Sequence, residues 1–132
     1  MLIGLDFQSD IPIYLQLKTQ IIEGIATGRL KPGDSLPSVR QFAEDLGINM
    51  HTVNKTYNLL KQDGFILVHR QKGVVVNPNG SPAVTDDYLS HLDDGLRPMI
   101  IEAFCRGIKE EAFNKLCSEI FLTLKNAGGD ES

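Results

Sequence analysis

The chain has 132 residues, 42% hydrophobic and 23% charged, with a formal net charge of −4. It is long enough for one globular domain with an appendage and too short for two large domains. No stretch approaches the roughly 18 apolar residues that span a bilayer. Residues 1–6 lack the basic flank and apolar run of a secretion signal, so a cytoplasmic protein with no membrane partner is expected.

The negative balance, taken alone, argues against a nucleic-acid partner. Its distribution argues otherwise. Residues 1–78 carry eight basic and seven acidic side chains, and residues 79–132 carry five and ten. Between Arg29 and Lys72 the count is seven to four, so the acid lies in the tail and the first half holds a locally basic stretch. Cys105 and Cys117 lack CxxC spacing and read as core or interface residues.

Residues 12–28 read as a helix, with Pro12 at a first helical position and Tyr14, Leu17, Ile21 and Ile25 at 3–4 spacing. Gly28 ends it, and residues 30–34, with Pro32-Gly33, form a turn. A second helix starts at Ser38, where Ser38-Val39-Arg40-Gln41 has the form of a capping box, and carries Val39, Phe42, Ala43 and Leu46 on one stripe. Gly47 stops it. Asn49 then caps a third helix reaching about Asp63, with Val53, Tyr57 and Leu60 inward and His51, Thr52, Asn54, Lys55, Asn58 and Lys61 outward. Two short helices across a glycine turn, the second polar outside, fit a helix-turn-helix.

After Gly64 the period becomes that of strands. Residues 65–68 and 74–76 are β-rich and bound His69-Arg70-Gln71-Lys72-Gly73, a hairpin with a basic tip. Residues 77–82 are turn-rich, and the domain boundary is placed after Pro78. Two further helical patterns follow. One carries Leu89, Leu92, Leu96, Ile100 and Phe104, interrupted by Gly95 and Pro98, which predict a kink. The other carries Phe113, Leu116, Cys117, Ile120, Phe121 and Leu124, and residues 127–132 read as frayed. The expected fold is mostly α with a small β-hairpin: a winged helix-turn-helix over 1–78 and a two-helix dimerisation tail over 79–132.

Several motifs, in order, resemble the GntR family of bacterial regulators: Leu36-Pro37-Ser38-Val39-Arg40, Leu46 through Val53, Asp63-Gly64-Phe65-Ile66 and Arg70-Gln71-Lys72-Gly73. Pro12 through Gln16 and Gly28 through Asp34 fit it too. The 54 residues after Pro78 are too few for a large effector domain and are similar to the short tail of the YtrA subfamily. That resemblance implies a dimeric repressor of a small operon, often one encoding a membrane transporter, with double-stranded operator DNA as partner and room for a small-molecule effector. It implies a DNA-contacting set of Ser38, Arg40, Asn49, Met50, His51, Thr52, Asn54, Lys55, Arg70, Gln71, Lys72 and Gly73. Gln71 stands where the family's wing has its first glycine, and Met50-His51 where many relatives have an arginine or another polar pair.

Each assignment has a plainer competitor. Arg40 could spend its charge on Glu44 at i+4. The outer face of the third helix could be generic polar surface, and Arg70 and Lys72 solubilising edge charges. The tail stripes of Leu89, Leu92, Leu96, Ile100, Phe104, Phe113, Leu116, Ile120, Phe121 and Leu124 could cover the head in cis. Pairing with a second copy is the more economical burial. His51, His69 and His91 lack paired-ligand spacing, so no metal or other cofactor is expected. No nucleophile–base set or phosphate loop supports an enzyme. The alternative function is a winged-helix module that docks proteins; it predicts an apolar third helix, and the visible face is polar and basic.

Overall fold

A computed structural model describes residues 3–128. Along the described chain run α1 (Ile13–Ala26), α2 (Val39–Leu46), α3 (Met50–Asp63), β1 (Ile66–His69), β2 (Gly73–Val76), α4 (Asp86–Cys105) and α5 (Glu110–Ala127). They fall into two compact units, Met1–Pro82 and Ala83–Ser132. The turn after β2 belongs with the first: the Asn77 N–H donates to the Phe65 carbonyl at 2.9 Å and its side-chain amide to the Gly64 carbonyl at 3.0 Å.

The first unit is built around α3, which packs closely against α1, α2 and β1. Leu17 and Ile21 of α1 are fully buried; Tyr14 and Ile25, expected on the same stripe, are half-buried. Pro12 does not open the helix. It stands just outside, extended at φ −55° and ψ 144°, and its carbonyl accepts the Leu15 and Gln16 amides. The segment before it is tied down by two glutamines one turn apart. Gln20 exchanges hydrogen bonds with the Gly4 backbone at 2.8 and 2.6 Å, and Gln16 with that of Asp6 at 2.8 and 2.9 Å.

The capping box at α2 is half made. Ser38 Oγ accepts the Gln41 N–H at 3.1 Å, but the Gln41 side chain runs forward to Asp45 Oδ1 at 2.7 Å. The Gln41 amide nitrogen donates to the carboxylate one turn ahead, and among the described residues the reciprocal bond from the Ser38 N–H to the Gln41 oxygen is not formed. Gly47 ends α2 at φ 68°, a conformation that strains any residue with a Cβ. Asn49 then restarts the helix, its Oδ1 accepting the His51 N–H at 2.7 Å. Val53, Tyr57 and Leu60 are buried as expected, and so is Thr56, whose hydroxyl donates to the Tyr14 carbonyl at 2.8 Å.

β1 and β2 pair antiparallel from Ile66↔Val76 to His69↔Gly73. The stretch expected only as a turn around Pro32-Gly33 continues along the free side of β2. Gly33 donates to Val76 at 2.9 Å, Val76 to Asp34 at 2.8 Å, and Leu36 to Val74 at 2.8 Å. This satisfies backbone groups that an unpaired edge would leave open.

In the second unit α4 is one continuous helix with Gly95 and Pro98 inside it. Proline inside a helix removes one i→i−4 bond. Local bonds offset this: Thr85 Oγ1 caps the Tyr88 N–H at 3.0 Å, and Arg97–Asp93 and Arg106–Glu102 pair at i,i+4. α5 opens with Glu110 and Glu111, favourable at a helix N-terminus. No residue of α4 or α5 is buried. The frayed stretch expected at 127–132 lies largely outside the described residues; Ala127 is the last residue of α5.

Candidate nucleic-acid interface

Three pieces of the first unit carry the expected contact residues: the start of α2, the first two turns of α3 and the tip of the hairpin. Their positions follow from local chemistry. Tyr57 donates its hydroxyl to the Pro37 carbonyl at 2.7 Å and packs its ring 6.1 Å from that of Phe42. That bond fixes the strand-like lead into Ser38, and so the place from which Arg40 projects. Burial pushes the Tyr57 phenol pKa up, which keeps the hydroxyl a donor.

Arg40 is exposed, and among the described ion pairs it has no carboxylate partner, so the competing bridge to Glu44 is not formed. Ser38 is exposed with its oxygen committed to the cap. On α3, His51, Asn54, Lys55 and Asn58 lie at i, i+3, i+4 and i+7, one face, and all are exposed. Asn49 and Met50 are exposed at the helix start, and Thr52 is half-buried. The Asn49 oxygen serves the cap, which leaves its NH2 as the group able to donate outward. The Asp45 carboxylate of α2 is engaged by the Gln41 side chain at 2.7 Å, and at the far end of α3 Asp63 pairs with Lys18 at 3.3 Å.

Arg70, Gln71 and Lys72 form the exposed turn between the strands, and Gly73 enters β2 at φ 77°, where a Cβ would be strained. These three clusters therefore sit on one compact unit, with cationic or polar side chains outward at each.

Two participants were not assigned from the sequence. Tyr14 lies beneath Lys55, whose Nζ is 3.8 Å from the ring centroid. A cation over an aromatic face is held as well as exposed. Periodicity had placed Tyr14 in the core stripe, and nothing in spacing alone ties α1 to α3 at that point. His69, which the sequence places in the hairpin tip without a metal-ligand pair, accepts at Nδ1 the amides of both Gln71 and Lys72 at 3.1 Å. The signal available was a side-chain acceptor two residues ahead of a turn amide, a pattern usually looked for in Asn, Asp and Ser.

Taken together, a helix-turn-helix with a following hairpin and a polar, basic outer face defines a winged-helix transcription regulator. Residues 13–76 match the model of the family described as bacterial regulatory proteins, gntR family. Over 124 residues the chain is 32% identical to the HTH-type transcriptional repressor YtrA of Bacillus subtilis, covering 94% of this chain and 95% of that protein. Among solved structures, YtrA from Sulfolobus acidocaldarius, a GntR-family transcription factor, aligns with a TM-score of 0.58 at 44% identity over 78% of this chain and 97% of that one. A transcriptional antiterminator from Listeria monocytogenes aligns with a TM-score of 0.88 at 26% identity, over 100% of this chain and 97% of that one. The chain belongs to the GntR family of transcription regulators and is not an enzyme. Among the described residues no helix is long and apolar enough to cross a membrane.

Proposed function

We propose that the chain is a repressor that binds double-stranded operator DNA as a symmetric dimer. The first turns of α3 enter the major groove, Arg40 and Lys55 reach bases or phosphates beside it, and Arg70 and Lys72 lie along the minor groove or its phosphates. Two heads then read half-sites about one turn (~10 bp) or a multiple apart, and occupancy blocks transcription sterically. The observation that carries the reading is that Arg40, without an ion-pair partner among the described residues, and the face of His51, Asn54, Lys55 and Asn58 are all exposed on the same unit. The repressor sense is taken from the Bacillus relative's name. By the same family resemblance the target is a small operon, with membrane-transport genes the first to examine.

Dimerisation through the tail is supported by its exposure: Leu89, Leu92, Ile100, Phe104, Leu116, Ile120 and Phe121 are each at least 45% exposed. Soluble monomers rarely leave a patch of that extent open, and a two-fold pairing of α4 and α5 would cover it.

A mobility-shift titration on the protein's own promoter tests the reading. Arg40→Ala combined with Lys55→Ala should weaken specific binding by about tenfold or more, since a base contact discriminates by about 1–3 kcal/mol. The wild-type affinity should fall steeply with salt. Unchanged affinity in the double variant, or equal wild-type affinity for promoter and unrelated DNA, would reject it.

A further inference from the structure

We propose that His69 is the positioning residue of the wing, engaging the amides of Gln71 and Lys72 so that the tip meets nucleic acid chiefly through its side chains. The inference rests on the operator-binding reading above and adds to it how the wing is held and what it presents. His69 is the last residue of β1, paired with Gly73 across the hairpin. Its Nδ1 lies 3.1 Å from the nitrogens of Gln71 and of Lys72. One lone pair thus serves two successive N–H groups. That arrangement requires a neutral imidazole with its proton on Nε2, because a protonated Nδ1 is a donor.

Two successive backbone amides in a turn are the raw material of an anion-binding nest. In this tip both are used internally. What remains outward is Arg70, Gln71 and Lys72, all exposed, while His69 itself is half-buried. A three-residue loop with long, cationic side chains would otherwise sample many backbone states, each aiming Arg70 and Lys72 differently. Fixing two of its amides to the strand that precedes it narrows that set before DNA arrives, which lowers the ordering cost of binding.

Two substitutions in the full-length protein separate this role from a merely structural one. The Asn side-chain oxygen and the His Nδ1 are both bonded to Cγ, so His69→Asn keeps an acceptor at the same place. His69→Leu keeps bulk there without an acceptor. Amide exchange at Gln71 and Lys72, read by NMR, should quicken about fivefold to tenfold in His69→Leu and return toward wild type in His69→Asn. Affinity for a DNA fragment selected by the wild-type protein should fall about fivefold to tenfold in the Leu variant and recover in the Asn variant. Lys72→Ala should weaken the wild type more than it weakens His69→Leu, because the two residues act as one unit.

Unchanged exchange in His69→Leu would overturn the tie itself. Faster exchange with wild-type affinity would overturn its role in binding. Equal loss of affinity in both variants, with exchange restored in the Asn form, would mean that the imidazole touches DNA directly and would overturn positioning. If the wild type selects no DNA, the operator reading fails, while the exchange measurement still judges the His69 tie.

Discussion

The two units use the same apolar residues at the same helical spacing and reach opposite outcomes. In the head, Leu17, Ile21, Val53 and Leu60 are fully buried. In the tail, Phe104 is 80% exposed and Ile101 67%. Periodicity makes a helix amphipathic; it does not supply the second layer that buries the stripe. The head has that layer within its own sequence, because α1, α2 and the hairpin enclose α3. The tail does not among its described residues, and in the function proposed above a second copy supplies it. One part of the chain therefore carries its own core, and the other is a pair of helices with no buried residue.

The strongest way to break this division is to cut it. A chain ended after Pro82 should unfold cooperatively, sediment as a monomer and bind a two-half-site operator roughly 10²–10⁴-fold more weakly, the loss expected when two linked sites become independent. Full affinity from the isolated head, in a mobility shift run beside sedimentation, would leave the tail without the role given to it.

A matched pair of substitutions sharpens the same contrast. Leu60→Ala, at a fully buried position, should cost about 2–5 kcal/mol at every protein concentration. Leu92→Ala, in the tail, should destabilise most in dilute protein and progressively less as concentration rises, as the proposed pairing between copies requires. Urea unfolding at several concentrations distinguishes them; a concentration-independent loss for Leu92→Ala argues for burial within one chain.

The head was largely legible because its signals were local. Ser38, Gly47, Asn49 and Gly64 each act through hydrogen bonds or dihedrals spanning a few residues, and all four stand at helix ends as expected. What escaped was set by contacts distant in sequence. The pairing of residues 33–36 with β2 and the placement of Tyr14 beneath Lys55 each join segments about forty residues apart. Gln41 chose Asp45 over the cap because two acceptable partners competed, and a motif names only one. Pro98 shows the converse: a strong local breaker is tolerated inside a helix as long as α4. At the candidate interface the side chains could be placed on a face from spacing, but His69 could not, since its bond to the tip depends on where the hairpin turns.

A smaller effect tests how the head fixes its own reading surface. Tyr57→Phe removes the hydroxyl donated to Pro37 and leaves that carbonyl without its partner, an expected loss of about 1–3 kcal/mol. The pH dependence has a definite sign. Burial raises the phenol above its ordinary value of about 10. The folded chain keeps a proton that the unfolded chain releases, so this stability is complete below about pH 10 and falls as pH rises further. Tyr57→Phe should flatten that alkaline decline in thermal melts; an identical slope would mean another group controls it.

The smallest effect separates two uses of a single side chain. Asn49 spends its oxygen on the His51 amide at 2.7 Å and keeps its NH2 for a partner. Asn49→Ala removes both and should cost about 1 kcal/mol of stability as well as operator affinity. Asn49→Asp preserves the cap, since a carboxylate is at least as good at a helix N-terminus. It removes the outward donor, however, and sets a negative charge where phosphates are expected. Stability should therefore hold or rise slightly in the Asp variant while operator binding falls below that of the Ala variant. Melting temperatures and mobility shifts on the same three proteins decide this. If the two variants bound DNA equally well, the charge at position 49 would lie far from any phosphate, and the placement of the α3 N-terminus in the groove would have to be abandoned.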